Sequence, residues 1–226
     1  MSPLHNRLLA DLPEAEYQAF VLQLQPVVLR KGQVLFDAGE VPRYVYFPVG
    51  AVVSMMNDTQ DGEALETFMF GNTCMVGVAT VGQPSFYRAQ VRSAGPTYQL
   101  SASALVQLRG QCPVYCRRAD AAIQRMVMHL SQSLVCGKHH PLEQQMIRWM
   151  LITLDRSSSL RILITHQELA EILGVRREAV THNLGTMVER HEVAVRRGVI
   201  EVLDRAALEA RACECYGVGL QQRHPK

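Results

Sequence analysis

The chain has 226 residues, 48% of them hydrophobic, a formal net charge of +2 and six cysteines, which suits one large or two modest domains with a buried core. It offers no run near the ~20 apolar residues of a membrane span and no basic-then-apolar leader, so a cytoplasmic protein without a membrane partner is expected. Residues 141–226 hold 12 Lys/Arg against 11 Asp/Glu, so any nucleic-acid contact has to be a local patch rather than a bulk charge effect.

Residues 4–24 read as a short amphipathic helical opening, with Leu8, Leu9 and Leu12 before Pro13, then Tyr17, Phe20, Val21 and Leu24 at helical spacing. From Val27 to about Ala104 the texture turns to β-prone runs at Val27–Leu29, Val34–Phe36, Tyr44–Phe47, Val52–Met56, Ala64–Met69, Tyr87–Arg92 and Thr97–Leu100. Turn residues separate them, among them Lys31-Gly32, Gly39, Gly50, the hairpin signal Asp61-Gly62, Gly71, Gly77, Gly82 and Gly95-Pro96. Many short strands at this spacing predict a sandwich or barrel.

Ser101–Leu108 is expected as a short helix and Val114 to about Val135 as a longer one. Along the longer helix Cys116, Ala119, Ile123, Val127, Leu130 and Leu134 recur in steps of three and four, with Met126 beside them. That is the pattern of a coiled-coil seam, and it equally suits a helix packed on its own domain. Gly137-Lys138-His139-His140-Pro141 should break this helix. Leu142–Leu154 reads as another, followed by a polar loop over Asp155–Ser159.

Thr165 to Leu184 then reads as two short helices joined at Gly174. Thr165 and Glu168 make an S/T-x-x-E capping box. Leu169, Ala170, Ile172 and Leu173 share one face, and Gly174 can take the positive φ that reverses the chain. In the second helix Val180, Leu184, Met187 and Val188 should point inward. Arg176, Arg177, Glu178, Thr181 and His182 should point outward. This is the layout of a helix-turn-helix; the plainer reading is a helical hairpin within a core. His191–Val195 and Val199–Leu203 are β-like runs flanking Arg196-Arg197-Gly198, a hairpin tip, which makes the whole a winged helix with two arginines at the wing.

The cysteines are Cys74, Cys112, Cys116, Cys136, Cys213 and Cys215. In a reducing compartment disulfides are not expected. Cys112 and Cys116 lie at i, i+4 and Cys213 and Cys215 at i, i+2, and neither pair alone completes a zinc site. His139-His140 reads as an exposed linker pair. No cofactor and no metal site are therefore expected. Residues 27–104 contain no histidine, which speaks against a metal-dependent enzyme on the barrel, and no Ser/His/Asp or Cys/His constellation stands out.

The order of parts, an N-terminal β-barrel, a long helix and a C-terminal winged helix-turn-helix, resembles the Crp/Fnr family of transcription regulators. The resemblance rests on Lys31-Gly32-Gln33-Val34-Leu35-Phe36-Asp37-Ala38-Gly39-Glu40, Tyr46-Phe47 and Gly50-Ala51-Val52 in the barrel, joined to the C-terminal motif. It implies an α+β chain divided into a cyclic-nucleotide-binding-like sensor jelly roll over 1–110, a dimerisation helix over 111–137 and a DNA-binding domain over 138–226. It also implies a homodimer joined along Ile123, Val127, Leu130 and Leu134, bound to a near-palindromic double-stranded operator, with RNA polymerase as a further candidate partner. Not an enzyme but a sequence-specific regulator is the expected function; the alternative is a DNA-binding protein whose barrel is only a dimerisation scaffold.

By position in the motif, Arg177, Glu178 and His182 resemble the base-reading residues, His182 standing where an arginine is common. Thr165, Gln167 and Arg176 resemble phosphate contacts, and Arg196 and Arg197 would face the backbone from the wing. The family's cyclic-nucleotide binders hold the ribose with a Gly-Glu pair and the cyclic phosphate with an Arg-Ser pair. Here the corresponding stretch is Gly71-Asn72-Thr73-Cys74-Met75-Val76-Gly77-Val78, and Arg88 is followed by Ala89. A cyclic phosphate would be poorly held there, so cyclic AMP is not the expected signal. The candidate effector residues Cys74, Val76, Gly77 and Arg88 leave a soft, apolar site or one filled by its own side chains. The first cysteine lies too late for the family's iron–sulfur type, and Val76 after Cys74-Met75 removes the histidine of its haem type.

Overall fold

A computed structural model describes residues 1–59, 61, 64–77, 82–155 and 160–221. Gly62, Val78 and most of the Asp155–Ser159 loop fall outside them. The chain divides into two compact units, Met1–Asp58 with Thr67–Val127, and Thr59–Glu66 with Met128–Lys226.

The N-terminal opening is a 3-10 turn at Pro3–His5 followed by α1 (Arg7–Ala10) and α2 (Glu14–Val21). Asn6 anchors it. Its Oδ1 accepts the Leu8 N–H, while its Nδ2 donates to the Pro48 and Cys74 carbonyls at 2.8 and 3.0 Å. A fully buried amide is thus satisfied on both ends.

Seven strands follow at the seven β-prone runs: β1 (Gln25–Leu29), β2 (Val34–Phe36), β3 (Tyr44–Pro48), β4 (Val52–Asp58), β5 (Ala64–Phe70), β6 (Arg88–Ser93) and β7 (Gly95–Ser101). They form two sheets, ordered β1-β7-β3 and β2-β6-β4-β5. Gly95 is required by close approach: a Cβ there would stand 2.5 Å from the Gly50 carbonyl carbon. The first unit's core is aromatic. Phe20 stands 4.5 Å from Tyr115, and Tyr87 lies between Phe36 and Phe70 at 5.4 and 5.8 Å.

Ser101 caps α3 (Ala102–Arg109) through the Ala104 N–H. The long helix α4 spans Pro113–His139. Proline suits its first turn, where no N–H partner is needed. The buried Glu16 carboxylate accepts the Val114 and Tyr115 amides at 3.0 and 2.9 Å, an anion on the positive helix end. The helix runs about one turn past the expected stop, carrying Gly137 within it. Pro141, rather than the glycine, ends it, because a residue before proline is disfavoured in helical geometry.

In the second unit come α5 (Leu142–Leu154), β8 (Arg161–Ile162), α6 (His166–Leu173), α7 (Arg177–Glu189), β9 (Val193–Arg196) and β10 (Val199–Val202). The wing sheet has the order β8-β10-β9. Met146, Ile147, Met150, Leu169, Ile172, Val180, Leu184, Met187, Ile200 and Leu208 form the core of this unit. Two helices have no counterpart among the predicted elements, α8 (Arg205–Arg211) and α9 (Glu214–Gln221). An ion-pair group ties this unit together. Arg211 grips the buried Glu192 carboxylate with 2.6 Å bonds to both oxygens and reaches Glu143, which Arg190 also meets at 2.7 Å.

Candidate functional site

The helix-turn-helix forms as its residues require. The Thr165 hydroxyl accepts the Glu168 N–H at 3.1 Å, and Glu168 returns a 2.7 Å bond to the Thr165 N–H. Gly174 takes φ +64 between α6 and α7. At the far end His191, at φ +60, closes α7. Its N–H bonds Val188, and the Glu192 N–H bonds Met187. His191 is therefore a helix cap and not the start of a strand. Histidine is among the residues that tolerate this conformation.

The outward set of α7 is exposed: Arg176 at the N-cap position, then Arg177, Glu178, Thr181 and His182. Thr181 does two things at once. Its hydroxyl donates to the Arg177 carbonyl at 3.1 Å and meets His166 Nδ1 at 2.9 Å, tying α7 to α6. Thr165 and Gln167 are exposed at the start of α6, Gln167 donating to Glu171 at 2.9 Å. Val188, expected inside, is 40% exposed. It lies one residue beyond the Val180–Leu184–Met187 stripe, about 100° around the helix from Met187.

Arg196 ends β9 and pairs across to Val199, so the wing turn is only Arg197-Gly198, with Gly198 at φ +72. Both arginines are exposed. None of Arg176, Arg177, Arg196 or Arg197 has an acidic partner among the described residues. Several other arginines of the unit are engaged, Arg161 with Glu201, Arg190 with Glu143, Arg205 with Asp155 and Arg211 with Glu192. The patch is thus electropositive although the unit as a whole is nearly neutral.

The expected single stripe of α4 separates into two. Tyr115, Ala119, Ala122 and Met126 are buried, which moves Ala119 off the seam and places Met126, expected beside it, on the inner stripe. The seam residues themselves lie about 80° further round. Val127 and Leu134 are 53% and 76% exposed, while Ile123 and Leu130 are half-buried. Cys116 is in phase with the seam residues and half-buried, its thiol donating to the Arg109 carbonyl.

In the barrel Cys74 and Val76 are buried, and Val76 bridges to Tyr46. The Gly77 N–H donates to Tyr87 Oη at 3.2 Å. Arg88 is held by Asp58 at 2.9 Å. The arginine in the candidate phosphate position therefore already has a carboxylate from the same chain.

The structure also assembles a group that sequence spacing hid. Cys136 and His140 lie one turn apart at the end of α4, and Cys213 and Cys215 lie at the start of α9; their ligand atoms all fall within 4.8 Å of one another. Isolated thiols and an exposed histidine pair do not describe these four residues; only His139 stays exposed. The two halves sit 77 positions apart in the chain. The legible signal was a C-x3-H and a C-x-C, each two ligands short. Burial, together with Cys213 beside it, pushes the Cys136 thiol up to about 12, and burial likewise raises Cys213.

Comparison with known proteins agrees with this geometry. Residues 144–211 match the family of Crp-like helix-turn-helix domains. No curated protein matches the chain in sequence. Among solved structures, FixK2 from Bradyrhizobium japonicum is similar with a TM-score of 0.69 at 16% identity, covering 84% of this chain and 98% of that one. TTHB099, a CRP-family transcriptional regulator from Thermus thermophilus, is similar with a TM-score of 0.70 at 18% identity, covering 82% and 96%. The c-di-GMP-responsive global regulator CLP from Xanthomonas campestris follows at 0.67 and 14%, covering 85% and 100%. The chain thus carries a Crp-like helix-turn-helix domain at residues 144–211 and shares the fold of these regulators.

Proposed function

We propose that the protein acts as a homodimer that reads a near-palindromic operator, with α7 of each protomer in the major groove. The observation that carries this reading is the exposed face of Arg176, Arg177, Glu178, Thr181 and His182 on α7, flanked by Arg196 and Arg197 at the wing. Arg177 contacts guanine O6 and N7, and Glu178 accepts from cytosine N4. Thr165, whose hydroxyl oxygen is used by the cap, keeps its hydroxyl proton for a phosphate. Gln167, Arg176 and the wing arginines add backbone contacts that fix register without reading sequence. The exposed apolar residues Val127 and Leu134, with Ile123 and Leu130 beside them, support a seam between two copies. Dimerisation along it brings two recognition helices onto half-sites about 34 Å apart.

The barrel's signal is not a cyclic nucleotide held by the family's usual contacts. The Arg88–Asp58 pair and the absent ribose carboxylate support this. The same pair favours a second reading, in which the barrel is only a dimerisation scaffold. Native mass spectrometry of freshly purified protein separates the two: a co-purified small molecule supports a sensor, its absence a scaffold. The DNA reading is tested by selection from random duplexes. An inverted-repeat consensus supports it, and retention of no common sequence contradicts it.

A further inference from the structure

We infer that Cys136, His140, Cys213 and Cys215 form a closed tetrahedral site for one zinc ion. Zinc bound by thiolates at about 2.3 Å and imidazole at about 2.0–2.1 Å places neighbouring ligand atoms about 3.5–3.8 Å apart. Here Cys136 Sγ and Cys213 Sγ stand 3.7 Å apart, and Cys215 Sγ stands 3.4 Å from His140 Nδ1. The four donors therefore already have the spacing of one ion's coordination shell. A sulfide-bridged iron cluster spreads its protein ligands over more than one metal and does not fit so tight a group. Three soft thiolates with one imidazole select zinc over hard, oxygen-seeking cations.

The surroundings are those of a metal site. The second nitrogen of His140, Nε2, lies 3.3 Å from Glu214 Oε1, a carboxylate that would hold the ring with Nδ1 toward the ion. Gln132 Nε2 donates to Cys215 Sγ at 2.9 Å. Three thiolates and one divalent ion leave one net negative charge, which the charge of Arg148, favourable to the Cys136 thiolate, would offset. Binding forms three metal–sulfur bonds and one metal–nitrogen bond. Three thiol protons leave to solvent, and the imidazole proton stays on Nε2 toward Glu214. All three cysteines are buried and all four positions are protein ligands, so the site is structural, with no place for substrate. Its effect is to fasten α9, and through it the C-terminal end of the DNA-binding domain, to the last turn of α4.

The test is elemental analysis of the full-length protein, purified under reductant with neither metal nor chelator added. One zinc per chain is expected. Cys215→Ser and His140→Ala should lower the content at least tenfold, whereas Cys112→Ser, at a buried thiol outside the group, should leave it unchanged. His140→Cys keeps four soft donors and should retain one ion, which separates loss of a ligand from loss of the fold. Chelator-treated wild type should take up one Co2+ per chain with the visible absorption of tetrahedral, thiolate-bound cobalt. The proposal is overturned by wild type that carries no zinc and takes up no Co2+, by metal content indifferent to Cys215→Ser and His140→Ala, or by a Cys136–Cys213 disulfide in the reductant-purified protein.

Discussion

At the residue scale, reading the DNA and holding it fall to different side chains. Arg177 is assigned a base edge, so Arg177→Ala should cost about 1–3 kcal/mol at one base pair of each half-site and relax specificity there. Competition binding against operator and random DNA checks it; equal losses on both would remove the base-reading role. Arg197 is assigned a phosphate. Arg197→Ala should weaken binding evenly across sequences and lower the slope of log K against log salt by about 1 per protomer. A second residue-scale prediction concerns stability. Arg211→Ala strands the buried Glu192 carboxylate and should destabilise the protein by about 3 kcal/mol in urea titration. The figure is at the low end because Arg211 keeps part of its surface in water.

The Glu143 carboxyl gives a pH dependence. Burial alone would raise it, but the hydrogen bonds and charges of Arg211 and Arg190 outweigh burial and hold it below the usual carboxylate range. A depressed folded pKa contributes stability that is complete above the unfolded value and is lost as pH falls through the folded one. The stability gap between wild type and Glu143→Gln should therefore be widest near neutral pH and shrink below about pH 4. A gap that widens in acid would contradict the assignment.

At the scale of elements the seam of α4 is the exposed hazard that a partner helix would cover. Val127→Glu places a charge in the middle of that seam, where an unpaired carboxylate is costly to bury. It should give monomers in sedimentation and lose binding to a two-half-site operator, while a fully dimeric variant would move the interface elsewhere. The elements were legible to different depths, for physical reasons. All seven barrel strands and the capping box of α6 are local signals, set by period-two apolar runs, glycine turns and a Thr-x-x-Glu spacing, and each appears where those signals lie. The face of α4 was only half legible. A stripe of steps of three and four marks apolar positions without saying which of two neighbouring faces meets the chain's own core, and Tyr115, Ala119, Ala122 and Met126 took that place. The overrun through Gly137 shows that one glycine does not stop a helix that proline can stop four residues later. The cysteine–histidine group was not legible, because its two halves meet only after the chain has folded the intervening winged helix.

For the whole molecule, the proposed function places specificity in the dimer. One recognition helix touches few base pairs, and two held at a fixed separation multiply that reading and demand matching symmetry in the DNA. On the same proposal the barrel's part is to set or sense that arrangement. Arg88 held by Asp58, with no carboxylate for a ribose, predicts that cyclic AMP and cyclic GMP leave the melting temperature unchanged; a true ligand at 100 times its dissociation constant would add about 2.7 kcal/mol. A saturable calorimetric isotherm with either nucleotide, lost in Arg88→Ala, would contradict this.

The most direct test of the central claim is a hydroxyl-radical footprint on the operator obtained by selection, read beside the stoichiometry of the complex. Two chains per duplex and two protected patches with centres about 34 Å apart, both lost together in Val127→Glu, are the predicted result. One chain per duplex with a single protected patch, unchanged by Val127→Glu, would contradict it.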